Sequence, residues 1–148
     1  MTTEATDLQP SCVLLEYHVR KLLVEELRET VVKPSFELLP DVCLQEGDEK
    51  KYRTILRCDY LVDKMRFHAV VEGAFEFKNA VGPDNVMHAW VNGGTVLYGI
   101  LRGLFAEMSA QCSGKVLVLP TVMMVEYVRR RIRQLVGEPE GKSGEKTA

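Results

Sequence analysis

Long apolar runs and net charge are both scarce in this sequence. No apolar stretch among its 148 residues reaches the roughly 20 residues that a membrane-spanning helix needs. Residues 1–11 have no basic patch followed by an apolar run, so we expect no signal peptide and a cytoplasmic protein. A net charge of −2 leaves no electrostatic footprint for nucleic acid. We therefore expect neither membrane insertion nor a nucleic-acid partner.

Motifs for metal binding and catalysis are also missing. The four cysteines, Cys12, Cys43, Cys58 and Cys112, form no CxxC pair, which leaves a zinc site poorly supported. We expect reduced, partly buried thiols instead. The chain has no glycine-rich phosphate loop and no recognisable Ser/His/Asp set. These absences argue against an enzyme, a bound metal and a cofactor.

The sequence does contain a strong strand alternation in two consecutive stretches, 51–62 and 65–77. Alternate positions in a strand share one face, and here one face of each stretch is mostly apolar. The positions are Tyr52, Thr54, Leu56, Cys58, Tyr60 and Val62, then Met65, Phe67, Ala69, Val71, Gly73, Phe75 and Phe77. Only Asp63 and Lys64 separate the stretches, which predicts a tight antiparallel hairpin. A lone hairpin cannot keep its apolar face dry, so the rest of the chain must cover it.

Two segments before this hairpin predict further extended structure. Residues 13–27 fit both strand and helix periodicity, and residues 22–32 stay open between the two. We interpret 13–27 as a strand because β-branched residues and a tyrosine lie in the run. Residues 31–45 contain Pro34 and Pro40, which lack the N–H that a central strand needs. That segment is therefore an edge strand or a crossing connection.

A long helix is predicted after the hairpin. We expect a short helical turn at 86–91, then an amphipathic helix from Asn92, a candidate cap, to about Gln111. Gly99 and Gly103 lie four residues apart in this helix. Two explanations stay open: chance or a local fit against the sheet, or the close approach of another helix across a subunit contact.

The remaining chain predicts a short buried strand at 115–119 and a last helix at 122–136, with Thr121 as a candidate cap. A small antiparallel sheet with helices gathered on one face is an α+β arrangement. The resulting division of the chain is a disordered N-terminus at 1–12, one domain at 13–136 and a disordered tail at 137–148.

The chain resembles the SecB protein-export chaperones from about Leu15 to Leu135. The resemblance lies in the order of elements, in the VEGAFEF motif at 71–77, in the long helix from Asn92 and in VLPTV at 118–122. It implies a four-stranded antiparallel sheet with the long helix packed on it and a C-terminal helix. It also implies a homotetramer, assembled as a dimer of dimers, that holds unfolded polypeptides in apolar surface grooves without ATP.

Charge separates this chain from the SecB proteins that deliver clients to the SecA motor. Those proteins are strongly acidic on the open face of the sheet. Here Asp59 and Glu72 alternate with Arg53, Arg57 and Arg66. The resemblance implies SecA as a partner, but this mixed charge argues against it. SecB-like chaperones also guard other clients, including antitoxins of toxin–antitoxin systems, and that role fits the sequence as well as protein export does.

An enzyme is the alternative function. The stretch HAWVNGG at 88–94, leading into a helix, is similar to the acyl-CoA site of hot-dog thioesterases, where N–H groups at a helix start polarise a carbonyl. In that fold most strands follow the long helix, whereas most predicted strands precede it here. We therefore favour the chaperone.

The client-binding surface is expected where apolar residues lie outside the sheet. The Pro-containing segment supplies one wall and the residues just before the long helix supply the other, while two hairpin phenylalanines are further candidates. The predicted client-binding residues are Phe36, Leu38, Leu39, Phe75, Phe77, Trp90 and Val91.

Overall fold

The computed structural model describes residues 12–83 and 85–137. Their four strands and two helices are β1 (Cys12–Glu26), β2 (Ser35–Leu44), β3 (Lys51–Val62), β4 (Met65–Phe77), α1 (Val86–Ser113) and α2 (Met124–Leu135). The strands form one antiparallel sheet in the order β1-β4-β3-β2. The predicted α+β fold, a four-stranded antiparallel sheet with a long helix and a C-terminal helix, is confirmed. Apart from Cys12 and Gly137, the termini predicted to be disordered lie outside the described residues.

The β3–β4 hairpin forms as its alternation predicted. Val62 pairs with Met65 across the two-residue turn, in which Asp63 adopts a φ of 54°. The register places Leu56 opposite Val71 and keeps all the alternate apolar positions of both strands on one face. Most of that face is buried beneath α1, so this hairpin is the floor of the core.

The chain from Cys12 to Glu26 is a strand, β1, and not a helix, as we favoured for residues 13–27. Two irregularities in its pairing with β4, between Leu14 and Glu16 and between Val19 and Lys21, explain why its alternation is imperfect. The chain then leaves the sheet, and the N–H groups of Leu27 and Val31 bond to backbone carbonyls of the β3–β4 turn, each at 2.6 Å.

The Pro-containing segment is an edge strand rather than a crossing connection. All of Ser35–Leu44 pairs with β3, and Pro40 lies opposite Leu56 in the middle of the ladder. The outer position of β2 in the sheet tolerates this proline. The indole of Trp90 donates a hydrogen bond of 3.1 Å to the Pro40 carbonyl and so ties this edge to α1.

Helix α1 begins six residues earlier than predicted, at Val86 rather than at Asn92. Asn92 is therefore inside the helix and is not its cap. Gly93 and Gly94 are buried and leave no room for a side chain. A Cβ on Gly93 would collide with Thr54, and one on Gly94 would approach the Met124 sulfur to 2.9 Å. They allow the helix to lie close against the sheet and α2. The helix ends at Gly114, whose left-handed φ of 72° accompanies a bond from its N–H to the Ala110 carbonyl.

The prediction of a strand at 115–119 is wrong. That segment pairs with no strand among the described residues and instead follows α1. The N–H of Leu117 donates to Ser109 Oγ at 2.8 Å, and the Tyr98 hydroxyl donates to the Pro120 carbonyl. Helix α2 then begins at Met124 without a side-chain cap, so the role predicted for Thr121 is also wrong.

The core lies between the helix-side face of the sheet and the two helices. Its fully buried members include Leu97, Leu101 and Phe105 of α1 and Val128 of α2. Neither helix of the described chain is both long and apolar enough to span a bilayer.

Candidate binding surfaces

Four aromatic side chains meet where β2, β3, α1 and α2 converge, and we call them the aromatic cluster: Phe36, Tyr60, Tyr98 and Tyr127. The Phe36 ring is the centre, with its centroid 5.5 Å from that of Tyr60, 6.3 Å from Tyr98 and 6.2 Å from Tyr127. All three contacts are edge-to-face, the geometry that aromatic rings prefer. Tyr98 is buried, whereas the other three rings are partly exposed. The cluster is therefore an aromatic surface on a rigid base.

The base of the aromatic cluster continues into the core. Tyr60 contacts Phe105 at a centroid distance of 5.6 Å, and Phe105 contacts Phe67 at 4.9 Å. Burial raises the pKa of the Tyr98 hydroxyl, and the neighbouring Cys58 adds to this rise while Arg102 opposes it. Burial also raises the pKa of Tyr60, with a smaller contribution from Asp63. Both hydroxyls therefore stay protonated near neutral pH and act as hydrogen-bonding groups rather than as bases.

Helix α2 is fixed against the edge of β2 by one bidentate ion pair. Arg131 donates from Nε to Asp41 Oδ1 at 2.6 Å and from Nη2 to Oδ2 at 3.1 Å. The hydrogen bonds to Asp41 raise the pKa of Arg131 further. Next to this pair, the Arg130 guanidinium lies 5.2 Å from the centre of the Tyr127 ring. The same helix thus closes the β2 edge and carries a cation to the margin of the aromatic cluster.

Strand β1, at the opposite edge, is only half covered on the helix side. Its residues Tyr17, Val19 and Leu22 pair with Gly73, Val71 and Ala69 and share their face. These three β1 side chains are nevertheless 48%, 39% and 39% exposed. Among the described elements only β4 and α1 contact β1. This edge is an apolar surface with an unpaired strand ladder.

The other face of the sheet carries charge. Glu72, with a side chain only 9% exposed, accepts hydrogen bonds from Arg20 at 2.6 Å and from Arg53 at 3.0 Å. Burial alone would raise the pKa of Glu72, but the two arginines outweigh it and hold the pKa below its ordinary value. Nearby, His68 Nδ1 lies 2.8 Å from Asp59 Oδ1. These contacts join β1, β4 and β3, so this face is cross-linked by ion pairs.

The structure separates the seven predicted client-binding residues. Leu38, Phe75, Phe77 and Trp90 are buried in the single chain, and the Phe75 ring stacks on Tyr52. The partly exposed members are Phe36, Leu39 and Val91. Phe36 and Leu39 lie on opposite faces of the sheet, because they are three residues apart in one strand. Client binding by these residues stays a prediction.

Sequence reasoning missed the partners of Phe36. Tyr60 is the next-to-last alternate position of β3, and Tyr127 lies one helical turn before Arg131. The alternation placed Tyr60 on the apolar face of β3, Tyr127 was not singled out, and no local signal brings the two rings to one point. The exposed β1 edge was missed for a similar reason, because its apolar residues look like ordinary core positions until the strand order is known.

Comparison with known proteins rests on structure alone. No family model matches the chain, and no curated protein matches its sequence. The chain is similar to the Rv1957 SecB-like chaperone of Mycobacterium tuberculosis, solved in complex with a ChAD peptide from the Rv1956 HigA1 antitoxin. The TM-score is 0.60 at 11% identity, over 76% of this chain and 91% of that one. The fold is SecB-like.

A second solved structure supports the same architecture. It is a protein of unknown function from Streptococcus agalactiae, with a TM-score of 0.54 at 13% identity, covering 74% of this chain and 97% of that one. The SecB-like order of elements also differs from the order that the thioesterase alternative requires. In the described chain all four strands precede α1, and Asn92 to Gly94 lie inside that helix, beyond its first free N–H groups.

Proposed function

We propose that this protein is an ATP-independent chaperone that holds unfolded polypeptide segments on an apolar surface and performs no catalysis. The observation that carries the proposal is the aromatic cluster, which keeps Phe36, Tyr60 and Tyr127 partly exposed on a buried aromatic base. Exposed apolar surface rimmed by polar groups is typical of interaction sites. The SecB-like fold, and the peptide bound to the mycobacterial SecB-like chaperone, support this reading.

The cluster suits an extended client because rings offer area without demanding one sequence. Covering apolar surface yields roughly 25 cal/mol per Å² whatever the identity of the covering side chain. Among the predicted client-binding residues, Phe36 lies at the centre of this surface. We propose that it is the main contact and that Leu38 and Trp90 act indirectly, by holding β2 and α1 in place.

The experiment is binding of an unfolded, slowly refolding protein to wild type and to Phe36→Ala. Phe36 is an edge-to-face partner of three rings, so circular dichroism and denaturant unfolding must show that the variant stays folded. The matched control is Val32→Ala, an apolar truncation at a side chain that is fully exposed outside the cluster. We expect about tenfold weaker binding for Phe36→Ala, roughly the loss of 1.4 kcal/mol of contact, and no change for the control.

Two results would count against the proposal. Equal binding by wild type and folded Phe36→Ala would place the client surface elsewhere. No binding of any unfolded protein by wild type would remove the general chaperone function, and a dedicated client, such as an antitoxin, would then be the better proposal.

Capture of one bound protein or of many from the native host would separate a dedicated chaperone from one for protein export. Hydrolysis of an acyl-CoA that is lost in His88→Ala would overturn the absence of catalysis.

We also propose that the protein assembles through β1 and acts as a homo-oligomer in the cytoplasm. The half-exposed apolar residues of β1 and its open ladder would both be covered by a second β1. Pairing of such dimers into a tetramer would use the exposed side of α1. That side includes Gly99 and Gly103, where a Cβ would meet nothing within 4 Å in the chain, so a local fit against the sheet does not explain them.

A further inference from the structure

The hydroxyl of Tyr52 is buried without a partner. The residue is 1% exposed, and within the described chain its hydroxyl oxygen makes no hydrogen bond of ordinary geometry. Its ring stacks on Phe75 at a centroid distance of 5.2 Å and meets Phe77 edge-to-face at 6.5 Å. These contacts hold the ring in place but leave the hydroxyl unsatisfied. Buried polar groups without a partner are rare in folded proteins, and a redox role is one explanation for them.

The side chain that this hydroxyl faces is Cys12. Cys12, in β1, pairs with Phe77 on one side of β4, while Tyr52, in β3, pairs with Phe75 on the other side. Directly paired residues share a face, so both side chains lie on the helix side of the sheet, and the stacked Tyr52 ring extends over β4 towards β1. Burial raises the pKa of Tyr52, and the charge of the Cys12 thiolate and its hydrogen bond with the hydroxyl raise it further. Sulfur is a weak acceptor, so this contact satisfies the hydroxyl poorly.

Access to solvent separates Cys12 from the buried thiol of the core. Cys58 is fully buried, whereas Cys12, at the start of the edge strand, is partly exposed. A small oxidant can therefore reach the Cys12 sulfur while the Tyr52 hydroxyl approaches the same sulfur from the core. Cys12 thus combines access with a buried donor that lacks a good acceptor.

We propose that Cys12 is an oxidation site, at which a small peroxide converts the thiolate to a sulfenic acid that the Tyr52 hydroxyl stabilises. The sulfur attacks one peroxide oxygen, so that an S–O bond forms and the O–O bond breaks. Sulfur is oxidised by two electrons, the peroxide is reduced, and the leaving hydroxide takes up a proton to become water. The oxygen that remains on sulfur is a better acceptor than the thiol, so Tyr52 gains a partner and keeps its own proton.

The test treats the reduced, full-length protein with hydrogen peroxide in the presence of a 1,3-diketone that traps sulfenic acids. Peptide mass mapping then gives the yield of the adduct at each cysteine. We expect the yield at Cys12 to exceed that at Cys43 and at Cys112 by about three- to tenfold, the effect of one hydrogen bond, although these two thiols are more exposed. Sulfenic acids without such a bond pass on to higher oxidation states or condense with thiols.

Two variants assign the effect to one hydroxyl. Tyr52→Phe keeps the ring that stacks on Phe75 and removes only a hydroxyl without an ordinary hydrogen bond, so circular dichroism should show an unchanged fold. The yield at Cys12 should fall about three- to tenfold, with unchanged yields at Cys43 and Cys112 in the same chain. The matched control is Tyr60→Phe, which removes a hydroxyl from the same strand and face. It should leave the yield at Cys12 unchanged.

Three results would overturn the proposal. A yield at Cys12 below that at Cys43 and Cys112 would show that no oxidation site exists there. Equal yields at Cys12 in wild type and Tyr52→Phe would show that the hydroxyl does not stabilise the product. An equal fall at Cys12, Cys43 and Cys112 in Tyr52→Phe would show a general change in the fold. None of these measurements involves a client, so the proposed chaperone function stands or fails separately.

Discussion

At the scale of single residues, Gly93 decides how closely α1 approaches the sheet. A Cβ there would collide with the side chain of Thr54, which is itself fully buried. We expect Gly93→Ala to lower the free energy of unfolding by about 1–3 kcal/mol, because the helix must shift or Thr54 must change rotamer.

The matched change is Gly99→Ala, where the added Cβ meets nothing within 4 Å. Within the single chain it should cost nothing and can add about 0.5–1 kcal/mol through helix propensity, so any loss would come from the proposed contact between dimers. Urea unfolding measures both, and an unaffected Gly93→Ala protein would show that the approach is looser than described.

The carboxylate of Glu72 joins β1 to β3 across β4 by pairing with Arg20 and Arg53. A carboxylate with a lowered pKa in the folded state contributes stability above its unfolded pKa, near 4.5, and loses it as pH falls through the folded value. Glu72→Gln should therefore cost about 1–3 kcal/mol at pH 7, and the cost should shrink as the pH falls below 4.5. Glu76→Gln removes the same charge from the same strand and face and is the control. A penalty for Glu72→Gln that is independent of pH would contradict the role of the charge.

The cysteines give a third residue-scale prediction. Cys58 is fully buried, and burial, helped by Asp59, raises the pKa of its thiol to about 12. Cys43 and Cys112 are exposed, so the expectation of partly buried thiols fails for these two. A thiol reagent at pH 8 should modify Cys43 and Cys112 rapidly and Cys58 only after unfolding, because the thiolate is the reactive form. Peptide mass mapping distinguishes them, and rapid native labelling of Cys58 would show that β3 opens.

At the scale of elements, the sequence predicted best where a pattern is long and repeated. The β3–β4 alternation fixed the hairpin because thirteen residues of β4 keep one period. The start of α1 was misplaced because Asn92, Gly93 and Gly94 together look like a cap followed by a loose first turn. Gly93 and Gly94 are needed for close packing against Thr54 and Met124, a tertiary contact that no local sequence pattern indicates.

Two further element-scale errors have the same cause. Residues 115–119 have the composition of a strand, but Ser109 and Tyr98 of α1 bond to Leu117 and Pro120 and hold the segment against the helix, where it pairs with no described strand. The binding surface was assigned to a segment outside the sheet because Pro34 and Pro40 argued against a central strand. Pro40 is instead tolerated at an edge, so the segment alternates, and Leu38 turns into the core while Leu39 faces the other side.

At the scale of the whole molecule, the two sheet edges are unequal. The β2 edge is closed by Pro40, by the Trp90 hydrogen bond and by the Arg131–Asp41 pair. Among the described elements β1 touches only β4 and α1, and it is fifteen residues long. Two open edges would allow head-to-tail growth of strands into a filament, whereas one open edge allows only a closed pair related by a two-fold axis. This asymmetry suits the proposed closed dimer better than open growth into a polymer.

This asymmetry yields the last prediction. Tyr17→Lys/Leu22→Lys places two cations on the half-exposed helix side of β1, and lysine on an edge strand blocks further pairing. We expect wild type to be a dimer or larger at micromolar concentration by light scattering, and the double variant to be mainly monomeric. Leu44→Lys is the matched control, because it adds charge at a half-exposed residue of the closed β2 edge. It should leave the mass unchanged.

A monomeric wild type would refute assembly through β1, and an equal loss of mass in Leu44→Lys would show that the closed edge takes part. Because the aromatic cluster lies on the β2 side of the sheet, a monomeric variant that still binds unfolded protein would show that assembly and client binding use opposite edges.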